Sequence, residues 1–223
     1  LSIISGNVSF YNQSASGRAI APSPLVCCYG LLRDYTRAAT PRLKAEADRL
    51  LLVGAREPVW GEAPEGREPA VPRPDLARES RVLRVLPQLI EEGLIAAAQD
   101  IGDGGLLLAA WEMMTGDERP GDLGMRLDLS AIAALEAPAE TATGLLCSEA
   151  PGFLLEVRPA RAAEVAARLR TTGVAVADIG EVTAGPSLRI ERDGTILGDV
   201  PAAEVYTAWA GKLESITHIA EGR

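Results

Sequence analysis

Histidine is almost missing from this chain. The one copy, His218, stands close to the end and outside any strong periodic pattern, where chain termini fray. The commonest general acid–base side chain is thereby withheld from any internal site. A serine–histidine or cysteine–histidine nucleophile has no base to draw on, which removes acyl transfer of that kind. Cysteine is nearly as scarce. Cys27, Cys28 and Cys147 cannot close a disulfide framework, and their spacing is not that of a zinc finger. Two of them are adjacent inside an apolar run, so reduced, buried thiols in a cytoplasmic protein are expected. Lysine occurs only at Lys44 and Lys212, leaving arginine to supply nearly all the positive charge, a bias of genome composition rather than of mechanism. No stretch reaches the length of apolar residues that a transmembrane helix needs, and no basic–apolar–small signal opens the sequence. The expected partners therefore include no membrane.

The charge balance excludes more. A net charge of −9 argues against nucleic acid as the main partner, because phosphate backbones require a basic face. It leaves room for a small phosphorylated ligand held by backbone N–H groups or through a metal ion. What is present is globular in kind: 47% hydrophobic and 24% charged residues in a chain of 223, compatible with one or two domains.

Residues 1–34 read as two strands joined by a polar loop, the second a continuous apolar run behind Pro22 and Pro24. The stretch 49–54 reads as a short buried strand ending at glycine. From 55 to 74, five prolines among charges predict a long loop with little regular structure. Helical periodicity then runs over 76–98, with Leu83, Leu86, Leu89, Ile90 and Leu94 at spacings of three and four. Pro87 falls in a first turn or marks a break. A polar, glycine-rich turn at 99–105 feeds an apolar helix at 104–115. A strand at 125–130, a helix near 130–137 and a loop follow. Ser148 and Glu149 then stand in a turn before a strand at Phe153. An amphipathic helix ends at Gly173, a strand covers 174–182, and Asp193-Gly194 suits the type I′ turn of a hairpin. A helix over 202–213 closes the pattern. The mixture predicts an α/β or α+β layered fold. Trp60, Trp111 and Trp209 are scattered and read as packing residues.

Three places could hold chemistry. In Gln99-Asp100-Ile101-Gly102-Asp103-Gly104-Gly105, glycines let backbone approach a ligand, and the free N–H groups of the following helix point at it. Asp100 and Asp103 could hold a metal bridging to phosphate; alternatively Asp103 caps the helix and the glycines only make a tight turn. Gly6, Asn7 and Ser9 form the second constellation, with Asn7 offering an amide oxygen to a cation and Ser9 leaving the same strand face. Taken alone, they read more simply as a polar edge strand. Ser148-Glu149 orients a ligand or is an ordinary turn.

Together, "SGNVSFYNQ…GRAIAPSPLVCCYGLLRD", "QLIEEGLIAAAQDIGDGGLLLAAWEMM", "LLCSEAPGFLLEV" and "IGEVT" resemble the last part of the synthetase subunit of phosphoribosylformylglycinamidine synthase. That family is the ATP-dependent amidotransferase of de novo purine synthesis, within the aminoimidazole ribonucleotide synthetase-like superfamily. The resemblance implies the terminal strands of a second A-type, ATP-binding domain over 1–38, then a complete B-type C-terminal domain over 39–223. The abrupt start then reads as that of a fragment, or of one part of a split enzyme. By the same resemblance, Gly6 matches an ATP contact, Asn7 a magnesium ligand, and Ser9 a contact to formylglycinamide ribonucleotide. Asp100 matches a magnesium ligand at an auxiliary nucleotide site; Gly102, Asp103, Gly104 and Gly105 are the phosphate loop that the glycine turn itself suggests. Two departures stand out: Gln99 replaces a usual histidine, and Gly102 stands where the large forms have serine. The 55–74 segment also lacks a "GGSEY"-like run.

The implied cofactors are ATP and Mg2+. The implied partners are the N-terminal portion of the synthetase, a glutaminase subunit, a small adapter subunit and a small-molecule substrate. The family's catalytic histidine lies in its first repeat, so no catalytic residue is expected here and the piece alone is expected to be inactive. A non-catalytic scaffold, or a divergent ATP-binding protein of the superfamily, are the rival readings. Strands at 1–34 without sheet neighbours imply self-association through exposed edges.

Overall fold

The structure is a computed structural model that describes residues 2–8, 13–19, 24–54, 73–115, 121–133 and 141–208. The chain divides into two compact units, Leu1–Arg33 and Asp34–Arg223. The sequence boundary at 38 falls a few residues past this division.

In the first unit the described residues form no ladder. Gln13 and Ala19 make one antiparallel bridge around a tight turn, closed by Ser14 N donating to Arg18 O at 2.9 Å and Gly17 N to Ser14 O at 2.9 Å. Over its described residues, 24–34, the run expected as a buried strand forms no strand and is open, with Leu25 95% and Leu31 94% exposed. Cys27 and Cys28 are exposed too, which corrects the expectation of buried thiols. A strand exists only through a partner's backbone, and apolar sequence alone cannot supply that partner.

The second unit runs β1 (Arg49–Val53), α1 (Leu76–Glu91), β2 (Ala97–Ile101), α2 (Gly105–Thr115), β3 (Leu123–Asp128), α3 (Leu129–Ala133), α4 (Ala142–Cys147), β4 (Gly152–Val157), α5 (Pro159–Arg170), β5 (Val176–Ala184), β6 (Ser187–Arg192) and β7 (Thr195–Pro201). It is helical again at 202–208. The strands form one sheet in the order β2-β4-β1-β5-β3-β6-β7, antiparallel except where β3 meets β6.

Helices cover both faces of the strands at its centre. Leu50, Leu52, Leu154, Met125 and Leu127 pack against residues of α2, α3 and α4. On the opposite face Leu51, Val53, Leu155 and Val157 meet α1 and α5. Alternating side chains leave a strand on opposite sides, so β1 must be apolar throughout to be buried on both. That is why "LLLV" reads as a run rather than an alternation.

The expected helix over 76–98 ends at Glu91. Gly93 adopts φ +70°, its N–H donates to Ile90 O at 2.9 Å, and Leu94 N donates to Leu89 O at 3.0 Å. This left-handed C-terminal cap folds Leu94 back onto Leu89 in the core, so Leu94 keeps the apolar spacing after the helix has stopped. Residues 97–101, read as helix end and turn, are the edge strand β2. Pro87 lies inside α1, neither in its first turn nor at a break. The short helix α4, which the sequence reading had as loop, starts where Thr141 Oγ1 accepts from Gly144 N at 3.1 Å. At the hairpin, Asp193 and Gly194 have φ +50° and +74°, as the predicted turn requires. His218, Trp60, Trp209, Ser9 and nearly all of the 55–74 loop lie outside the described residues.

Candidate functional site at the β2–α2 junction

The turn between β2 and α2 packs against the turn between α4 and β4, so two of the sequence constellations meet. A Cβ on Gly105 would stand 2.6 Å from the Cys147 carbonyl carbon and 2.7 Å from Ser148 O, and Gly105 has φ +69°. Only glycine fits there. Glu149 Oε1 accepts from Gly104 N at 3.0 Å, so a half-buried carboxylate occupies the start of α2. Free N–H groups and the helix dipole favour negative charge at this place, and the chain supplies that charge itself. The expected alternative, Asp103 as cap, is replaced by Glu149 from another turn; Asp103 lies exposed at the tip. Ser148 is buried, and its Oγ accepts from Ala150 N at 3.3 Å.

Two turns along α2, Glu112 faces β2. Gln99 Nε2 donates to Glu112 Oε2 at 2.8 Å and approaches Asp100 Oδ1 at 3.4 Å. Burial, and then the neighbouring Asp100 charge, push the Glu112 carboxyl above its ordinary value. An amide donor between two carboxylates does part of what a cation would do there. Among the described residues no group of three or more His, Cys, Asp or Glu side chains is placed to hold a metal ion. Among the described residues, then, Asp100 and Glu112 share one amide donor and meet no third metal-ligating side chain.

Gly102 is different from Gly105. A Cβ there meets open space, and its φ is not positive, so the backbone would accept serine. In the first unit Gly6 and Asn7 are exposed and lie outside any helix or strand, with nothing within 4 Å of a Cβ at Gly6. Ser9 lies outside the described residues, so the pairing of Asn7 with Ser9 on one strand face is not described.

Two residues of consequence were missed from the sequence. Glu112 is the only charge in the helix "GLLLAAWEMMT", and Glu156 the only charge in the strand "GFLLEV". A lone charge in an apolar element was the available signal, because a carboxylate in such a setting must find a partner.

The family profile described as AIR synthase related protein, C-terminal domain, matches residues 52–193. Phosphoribosylformylglycinamidine synthase subunit PurL of Rhodopseudomonas palustris strain TIE-1 is 36% identical over 202 residues, covering 87% of this chain. The chain spans only 26% of that relative. Among solved structures, Thermotoga maritima PurL complexed with ATP superimposes with a TM-score of 0.66 at 20% identity, over 76% of this chain and 27% of that one. The PurLQS structure from Thermotoga maritima gives 0.67 at 20% identity, over 77% and 28%. The seven-stranded sheet with helices on its faces is thus a fold shared with these proteins.

Proposed function

This chain belongs to the AIR synthase related family through its C-terminal domain, and we propose that it serves as the C-terminal part of an ATP-dependent phosphoribosylformylglycinamidine synthetase. The observation that carries the reading is the 36% identity over 202 residues to one stretch of a PurL subunit. In that reaction ATP phosphorylates the amide oxygen of formylglycinamide ribonucleotide, ammonia attacks the activated carbon, and phosphate leaves. Positioning and charge stabilisation dominate such phosphoryl transfers.

This chain's share is small. Gly6 and Ser9 would contact ATP and substrate, and Asn7 would offer an amide oxygen to magnesium, the remaining ligands coming from the larger part of the synthetase. The domain division of that reading places 1–38 with an A-type domain and 39–223 as a B-type domain. PurLQS is a reason to expect a glutaminase and an adapter as further partners.

A second reading has its own observations. Glu149 fills the N-terminus of α2, and Gln99 ties Asp100 to Glu112. We read these as the loss of the auxiliary nucleotide site, with Gly102 to Gly105 serving packing rather than phosphate binding. The B-type domain would then be a scaffold for chemistry performed elsewhere in the assembly.

Co-expression with the N-terminal part of the synthetase from the same organism, followed by an assay of ATP-dependent amidation with ammonia, tests both. Activity that needs both pieces and falls at least tenfold, roughly, in Asn7→Ala is expected if Asn7 is a shared magnesium ligand. A pair that assembles without any reaction favours the scaffold. Activity untouched by Asn7→Ala removes the Asn7 assignment and keeps the family.

A further inference from the structure

Outside the β2–α2 junction the sequence sets two thiols side by side at one place. Cys27 and Cys28 are consecutive, and both are exposed. Their neighbours Val26 and Tyr29 are exposed as well, and no backbone hydrogen bond among the described residues holds 24–33. Cys147, by contrast, is half-buried at the end of α4 in the other unit, where burial pushes its thiol up and away from the reactive thiolate. Thiol chemistry on this chain therefore belongs first to the pair.

Strand and cross-link exclude each other there. In a β-strand consecutive side chains leave on opposite faces, and sulfurs on opposite faces cannot close a bond of about 2 Å. Joined to each other, the two cysteines close a small ring through a single peptide unit, which bends the chain. Consecutive Cα atoms stand about 3.8 Å apart, short of the roughly 4.4–6.8 Å that a relaxed disulfide spans, so the ring is strained and readily reduced. A backbone outside any ladder can accept that bend.

We propose that Cys27 and Cys28 form a reversible redox switch on the apolar run, closed by a hydroperoxide. One thiolate attacks the peroxide and breaks its O–O bond, keeping the outer oxygen as a sulfenic acid while water or an alcohol leaves. Its neighbour then attacks the sulfenic sulfur, the S–S bond forms, and the departing hydroxide is protonated to water. The two electrons lost by the thiols reduce the peroxide, and their two protons end in its products.

The consequence rests on the reading given above, in which 1–38 supplies strands to the sheet of a larger synthetase. Reduced, the run is able to alternate its side chains and join that sheet. Cross-linked, it is not, so oxidation before assembly keeps this chain apart from its larger partner.

Peroxide treatment of the full chain, alkylation of the remaining thiols and tryptic mass spectrometry read the bond directly. Cys27 and Cys28 fall in one peptide, 19–33, and Cys147 in another. The expected product is a 19–33 peptide lighter by two hydrogens, free of alkyl label and converted back by dithiothreitol. Separate sulfinic acids on the two thiols, or a link to Cys147 or to a second chain, overturn the proposal. Binding to the N-terminal part of the synthetase from the same organism tests the consequence. Affinity should fall roughly tenfold or more on oxidation and recover with dithiothreitol, and it should ignore peroxide in a chain carrying both Cys27→Ser and Cys28→Ser. Equal affinity of the reduced and cross-linked forms overturns the switch. A reduced chain that does not bind at all removes the synthetase reading, and the switch with it, whatever the mass spectrum shows.

Discussion

A methyl group on Gly105 would fall 2.6 Å from the Cys147 carbonyl carbon, while one on Gly102 would meet nothing within 4 Å. The two positions, three residues apart in one motif, should therefore respond oppositely to substitution. Gly105→Ala should cost on the order of 2 kcal/mol or more, since it adds a backbone clash to a left-handed φ. Gly102→Ser should stay within about 0.5 kcal/mol of wild type. Urea denaturation midpoints of the two variants check this, and equal shifts would contradict the packing described at the junction. The same contrast explains what a motif reading leaves out. Glycine spacing shows that a turn is tight, but the carboxylate that fills the start of α2 comes from Glu149, distant in sequence. Nothing in local pattern announces such a partner.

At the scale of the element, α1 carries a proline where a helix interior normally excludes one. Pro87 cannot donate to the Leu83 carbonyl, and both residues lie on the exposed face of α1, Leu83 being 57% exposed. Pro87→Ala restores the bond on an exposed face and should stabilise the chain by roughly 1–3 kcal/mol, read as a higher melting temperature. A lower melting temperature would mean that the proline shapes α1 for a contact the unit needs. Most elements were legible in the sequence. β1, α2, β4, α5 and the β6–β7 hairpin lie close to where periodicity, apolar runs and the Asp193-Gly194 turn put them. The errors have physical causes. Leu94 prolonged the helical spacing because the cap at Gly93 folds it back, and β2 was hidden because Gln99 and Asp100 lie on an edge that need not be apolar. In the first unit an apolar run alone does not bring burial, which needs a partner as well as a sequence.

Across the whole molecule, two buried carboxyl groups, Glu156 on β4 and Asp48 just before β1, set the sign of the pH response. Burial pushes the Glu156 carboxyl from 4.5 up to about 7, and burial raises Asp48 in the same direction. The folded state thus holds its proton over a range where the unfolded state has lost it. The associated stability is complete below the ordinary carboxylate range and declines as pH rises through about 7, by on the order of 3 kcal/mol. Unfolding free energies at about pH 5.5 and about pH 8.5 should differ by about 2 kcal/mol in the wild type, part of the loss falling below pH 5.5, and hardly at all in Glu156→Gln. A wild type that gains stability on the alkaline side would reverse the assignment. The strand order has a further consequence, for the chain while it is being made. Among the described strands only β6 and β7 are both neighbours in the sheet and consecutive in the sequence, whereas β1 waits about a hundred residues for β4, the first of its two neighbours to be made. At translation rates of 5–20 residues per second, roughly ten seconds pass between the synthesis of "LLLV" and that of the strand beside it. During that interval the most apolar strand of the sheet stands without neighbours, and nascent-chain-binding chaperones have their obvious substrate there.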